Sequence, residues 1–279
     1  MYSGHLQKDV EFINAQKYEV DASELFSNVK PRYCSNKLHA IITADIALAC
    51  SMIQNMSSAI AVDCLTGDGY HIQKFLDSGF YQVIGVDLSD RLIDKAREKY
   101  KNYPKAKFYC SEIEEFLSKT PEPYDFIFLG SLHHFPDYKG LLNIAMACTK
   151  PGGFIYIIEG KQKAFIGKLV KKIDENLYQL LHCPKMWFTK ILGKMRLRKN
   201  RIAQMWDDAS KAEVHAIHGL DDIALAQSLE RYGFRFVRHE RLLLSSTLPV
   251  YILLNLFGCT DAFRFLAQRI EKDFHGACG

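Results

Sequence analysis

Five short apolar runs recur along the first 160 residues: AIAVDCL (59–65), QVIGVDL (82–88), AKFYC (106–110), YDFIFLG (124–130) and FIYIIEG (154–160). Between them, residues 71–79, 90–100, 112–119 and 137–149 carry apolar positions at helical spacing, and Ser89 stands where an N-cap belongs. A further helical pattern, 37–53, precedes the first run. Strands this apolar must be buried on both faces. A helix between each pair returns the chain to the same end of the sheet, so that neighbours run parallel. The expected fold class is therefore α/β, a doubly wound, mostly parallel sheet with helices on both faces.

The rhythm breaks after Gly160. Residues 163–181 place Phe165, Ile166, Leu169, Val170, Ile173, Leu177, Leu180 and Leu181 at helical spacing with lysines opposite. Segment 161–201 holds twelve Lys and Arg against Asp174 and Glu175, a net +10 in a chain whose total is +4. Such unevenness points to an attached region with its own anionic partner. The α/β pattern resumes with a helix over about 221–232 and a strand, FRFVRHERLLL (234–244); residues 245–279 read as mainly helical. The expected organisation has three parts: N-terminal helices and a Rossmann-like, cofactor-binding core over 1–160, a basic helical cap insertion over 161–217, and the rest of the core with C-terminal helices over 218–279.

Composition narrows the setting. An apolar fraction of 48% and a charged fraction of 24% are those of ordinary soluble proteins. The longest uncharged stretch, 242–259, contains Pro249 and Asn255 and is too polar for a membrane span. No signal-like segment opens the chain, so a cytoplasmic setting is expected, with peripheral membrane contact through 161–201. The eight cysteines include no C-x-x-C pair and are expected as buried, reduced thiols. Glu213, His215 and His218, with Asp207 upstream, approach metal-ligand spacing, but a hydrogen-bonded loop accounts for them and no metal is expected.

The chemistry concentrates in DCLTGDG (63–69). In an open parallel sheet the ligand sits beyond the carboxyl ends of the strands, at the switch point beside the first strand. Gly67 and Gly69 let the backbone turn and approach a ligand, and Asp87, 20 residues after Gly67, can accept both hydroxyl hydrogens of a ribose. Ile72 occupies the place of the third glycine of a dinucleotide fingerprint. Asp63 and Asp68 would also repel a pyrophosphate at close range. A cationic nucleoside without phosphate suits the loop better, and a nicotinamide-dependent oxidoreductase stays as the alternative.

Three further stretches, YCSEIEEF (109–116), YDFIFLGSLHHFPD (124–137) and TKPGGFIYIIEG (149–160), complete an ordered set of motifs. With them the chain resembles the class I S-adenosylmethionine-dependent methyltransferases of small-molecule type, over roughly 58–160 and 218–244. The resemblance implies S-adenosyl-L-methionine as cofactor. Asp63, Gly67 and Gly69 would hold its methionine end, Asp87 the ribose and Glu112 the adenine, with Thr66, Leu88, Ile113 and Gly130 as further cofactor-binding residues. It places His133 and His134 where cofactor and acceptor meet, as candidate catalytic residues; Tyr33, where relatives carry an aromatic that closes over the methionine end, is expected as a core or surface tyrosine. Residues 161–215 would cover a small, apolar-bodied acceptor. Nucleic acid is not expected, because GSLHHF stands where base-amino methyltransferases carry a proline-rich motif. Two departures motivate a second alternative, a non-catalytic methyltransferase-like protein at a membrane or partner surface. Leu65 stands at the family's first glycine, and the family's antiparallel last strand is expected to be missing.

Overall fold

The computed structural model describes residues 35–119, 123–130, 132–135, 137–160, 220–242 and 262–270. Helix α1 (Ser35–Met52) leads into β1 (Ile60–Cys64), α2 (Ile72–Asp77), β2 (Gln82–Asp87), α3 (Asp90–Lys99) and β3 (Ala106–Cys110). Then follow α4 (Ile113–Lys119), β4 (Tyr124–Gly130), a 3-10 turn (Leu132–His134), α5 (Tyr138–Ala147) and β5 (Thr149–Gly160). The described chain ends with α6 (Asp222–Arg231), β6 (Phe234–Leu242) and β7 (Ala262–Arg269). The seven strands lie in the order β3-β2-β1-β4-β5-β7-β6. Strands β1 to β5 pair in parallel, and β7 runs antiparallel to both β5 and β6. The strand order reverses between β1 and β4, which opens a crevice at their carboxyl ends.

The two-residue period of the strands sorts the core into two layers. Phe126 and Phe128 of β4, with Phe154 and Tyr156 of β5, join α1, α2 and α3 on one face. Ile127, Leu129, Ile155 and Ile157 join α4, α5 and α6 on the other. Each fully buried side chain of this size contributes about 1.5–3 kcal/mol. Helix α2 has only six residues, too few to hold itself. Phe75 anchors it among Phe80, Phe126 and Phe128 at centroid distances of 5.5–6.1 Å, which fixes the end of the glycine loop.

Two expectations are corrected. Residues 262–269 are a strand, not a helix, inserted between β5 and β6. Its residues Ala262, Phe263, Phe265, Leu266 and Ala267 are buried on both faces, so no polar alternation announces it in the sequence. The sheet is thus closed by the strand thought missing. Strand β5 also begins at Thr149 rather than at the apolar run 154–160, and the Lys150-Pro151-Gly152-Gly153 segment is absorbed as a register shift against Tyr124 and Phe126. Among the described cysteines, Cys64 is buried and Cys50 and Cys148 are half-buried, all free. Cys110 is exposed instead, because β3 is an edge strand. No helix among the described residues is long and apolar enough to cross a membrane. The cap insertion, the Glu213/His215/His218 group, Tyr33 and the basic segment 161–201 lie outside the described residues.

Candidate functional site

Strand β1 delivers Asp63 to the crevice, and the next six residues fold back over it. Thr66 donates its backbone N–H to Val86 O at 3.0 Å and its hydroxyl to Asp63 Oδ2 at 2.9 Å. Gly67 N donates to Asp87 Oδ2 at 2.8 Å, while Ser89 N donates to Asp87 Oδ1 at 3.0 Å. Asp87 therefore locks the glycine loop to the end of β2 before any ligand arrives, and its remaining lone pairs stay available. Ser89 also accepts from Leu92 N, capping α3 as expected. Ser111 N donates to Asp87 O, which draws the loop after β3, with Glu112, to the same end of the sheet.

Leu65, Gly67 and Gly69 all have positive φ, +64°, +55° and +79°. At Gly69 there is a second constraint, since a Cβ would lie 2.8 Å from the Tyr100 ring, whose hydroxyl donates to Gly69 O. Leu65 keeps the left-handed geometry that a glycine would take freely, at a strain of about 1–3 kcal/mol. Its half-buried side chain packs against the core on the α4–α5–α6 face, which offsets part of that strain.

The electrostatics suit a cation. Asp63 is completely buried, and burial pushes its carboxyl up to about 7; the Asp87 charge adds to this, while the Thr66 hydrogen bond and Lys74 oppose it. Its Oδ1 is buried without a hydrogen-bond partner. Burial also raises Asp87 against the three backbone N–H groups of Ser89, Gly67 and Leu88. His71, packed edge-on to Phe128 and Tyr70, is pushed down to about 3 by burial, with Lys74 and His39 adding repulsion, and stays neutral. A positive group above this loop would relieve a destabilised carboxylate; a phosphate would aggravate it. A Cβ at Gly67 would meet nothing within 4 Å, so the loop faces open space there. The residues fit a cationic nucleoside.

The expected residues divide. Asp63, Thr66, Gly67 and Asp87 are linked directly, and Gly69 closes the same loop. Leu88 is half-buried beyond β2 and Glu112 half-buried beyond β3. Ile113 is 3% exposed and belongs to the core, so it reaches a ligand only through its main chain. Gly130 ends β4. His133 and His134 share the 3-10 turn that follows. His133 Nδ1 lies 2.8 Å from Glu159 Oε2. Glu159 had not been singled out, although a lone acid inside the apolar run FIYIIEG was a signal. Lys74, 6% exposed and close enough to act on Asp63, was hidden by its ordinary place on a short helix.

Residues 61–153 match the family described as methyltransferase domain. The ubiquinone biosynthesis O-methyltransferase of Bordetella pertussis is 24% identical over 173 residues, 59% of this chain and 70% of the relative. The N-methyltransferase NodS from Bradyrhizobium japonicum, solved with S-adenosyl-L-homocysteine, superposes at a TM-score of 0.56 and 11% identity, over 92% of this chain and 97% of that one. The magnesium protoporphyrin IX methyltransferase ChlM of Synechocystis, with bound SAM, also gives 0.56, at 10% identity over 93% and 97%. Residues 61–153 are thus similar to a methyltransferase domain, and the seven-stranded sheet that holds them has the fold of these solved methyltransferases.

Proposed function

We propose that this chain, built around its methyltransferase domain, transfers a methyl group from S-adenosyl-L-methionine to a small, apolar-bodied acceptor. The observation that carries the reading is the buried Asp63, with one unpartnered oxygen, beneath a glycine loop whose next lock is Asp87. Relatives named as an O-methyltransferase and an N-methyltransferase, and structures holding SAM or its demethylated product, support it. Asp63 acts on the methionine end through its field, and Thr66, Gly67 and Gly69 shape the contact. Asp87 and Leu88 take the ribose, Glu112 and the Ile113 main chain the adenine, and Gly130 the far wall. Bound there, the cofactor supplies a methyl carbon on a positively charged sulfur that leaves with the bonding pair. His133 and His134 stand as the catalytic candidates beside it, and alignment of acceptor and methyl carbon contributes ~7–11 kcal/mol of the barrier.

Thermal unfolding with S-adenosylhomocysteine tests this. At 100 times its dissociation constant the ligand stabilises the parent by about 2.7 kcal/mol. Asp87→Ala removes the acceptor of two loop N–H groups, so its unliganded midpoint falls as well; the expected result is that the ligand-induced shift vanishes. An equal shift in both proteins, or none in the parent at millimolar ligand, would sink the reading. A shift with NADH alone would favour the oxidoreductase.

An anionic membrane surface is the partner proposed for 161–201, on the strength of its twelve basic residues. Co-sedimentation with phosphatidylserine vesicles that disappears in high salt is the expected result, and equal binding to neutral vesicles would overturn it.

A further inference from the structure

We infer that Lys74 receives the carboxylate of the cofactor's amino-acid end, and that with Asp63 it makes the site select a zwitterion over a nucleoside that carries an ammonium alone. The inference rests on the methyltransferase reading above and names a residue that decides which adenosyl compounds enter.

Lys74 is the third residue of α2, and only 6% of it is exposed. Ile72 N donates to Gly69 O at 3.2 Å, which ties this helix to the glycine loop. Lys74 Nζ lies 3.4 Å from His71 Nδ1 and 4.4 Å from the centre of the Tyr70 ring. An ammonium only donates, so the ring nitrogen accepts, and the tyrosine offers the negative face of its ring. His39 of α1 meets Tyr70 edge-on at 6.5 Å and backs that ring from the neighbouring helix. Both partners of the ammonium are neutral, since burial keeps His71 uncharged. Among the described residues no carboxylate forms an ion pair with Lys74, although the exposed Lys101 and Lys119 each have one.

Asp63 presents the complementary deficit. Its Oδ1 is buried without a hydrogen-bond partner, and Lys74 is the cation whose charge reaches it. The two opposite charges act on one another and yet do not pair. Mutual neutralisation would need the gap closed, because two buried charges held apart cost more than none. The separation matches a guest with an ammonium and a carboxylate on one carbon: Asp63 suits the first and Lys74 the second. The acids of the loop make such a cation necessary. Asp63, Asp68 and Asp87 stand in or beside it, and each repels the guest's carboxylate. With those three alone, the loop would favour the decarboxylated compound, which lacks the repelled group.

Isothermal titration calorimetry with three ligands tests it: S-adenosylhomocysteine, its decarboxylated aminopropyl analogue, and 5′-methylthioadenosine, which has neither charged group. The parent should bind S-adenosylhomocysteine about 10–100-fold more tightly than the decarboxylated analogue, the range of one lost charged hydrogen bond. Lys74→Met keeps an unbranched apolar stem and removes the charge. It should lose about 10–100-fold toward S-adenosylhomocysteine and hold the other two ligands within about threefold of the parent. Equal losses on all three would give Lys74 a purely structural role and refute the assignment. So would a parent that binds S-adenosylhomocysteine and the decarboxylated analogue equally, a result that needs no variant and stands even if Lys74→Met does not fold. A parent that binds none of the three fails at the earlier step, and the methyltransferase reading falls with it.

Discussion

Asp63→Asn is expected to be more stable than the parent at pH 8, by about 1–3 kcal/mol, and to bind S-adenosylhomocysteine more weakly. The Asp63 carboxyl moves from an ordinary 3.8 up to about 7 on folding, chiefly through burial. At 1.36 kcal/mol per unit, its ionisation above pH 7 destabilises the folded state by about 4 kcal/mol. The buried amide that replaces it lacks a partner for one atom and returns about 1–3 kcal/mol of that gain. The sign follows from proton binding. Between about pH 4 and 7 the folded state holds the Asp63 proton and the unfolded chain does not, so the parent loses stability as pH rises through that window and levels off above it. Urea unfolding at pH 5 and pH 8 reads the difference: the variant's advantage should be present at pH 8 and gone at pH 5. An advantage of equal size at both values would mean that Asp63 is not the titrating group. A stabilising change at a ligand loop is the behaviour of a site that trades stability for binding.

Arg264→Leu should have the opposite effect, a loss of about 3–5 kcal/mol, roughly 10 °C in melting temperature. Arg264 is the third residue of β7 and is 12% exposed at its side chain. Its Nη1 donates to Asp45 Oδ2 of α1 at 2.7 Å and its Nη2 to Glu240 Oε2 of β6, also at 2.7 Å. Asp45 is 2% exposed, and burial raises its pKa even with the guanidinium beside it. Removing Arg264 leaves that carboxylate buried without its guanidinium partner, whereas Asp45→Leu/Arg264→Leu removes both charges and should recover most of the stability. The single variant's deficit should narrow in acid, where Asp45 takes a proton. A single variant within about 1 kcal/mol of the parent, or a double no better than the single, would show that the pair does not hold α1 to the sheet.

Much of the fold was legible because its signals are local. The five apolar runs, the Ser89 cap and the helices between them need only neighbouring residues to be recognised, and their observed limits differ from the expected ones by at most two residues, except that β5 starts five residues before its apolar run. The glycine loop and the Asp87 position were legible for the same reason: a positive φ and a strand-end carboxylate are demands made on single residues. Strand β7 was not legible, because burial on both faces erases alternation, and its identity as a strand depends on pairing with β5, over a hundred residues away.

The amino-acid sequence by itself thus determined a parallel α/β sheet, the place of its glycine loop and the aspartates that make the loop a poor seat for a phosphate. Only the tertiary structure decided which partner each side chain would meet. It gave Asp87 the further task of locking the loop, buried Asp63 until its carboxyl resists ionisation, and set Glu159 behind His133. Those outcomes depend on desolvation and on contacts across strands, 26 residues apart for His133 and Glu159. Neither quantity exists in a chain until the sheet has formed.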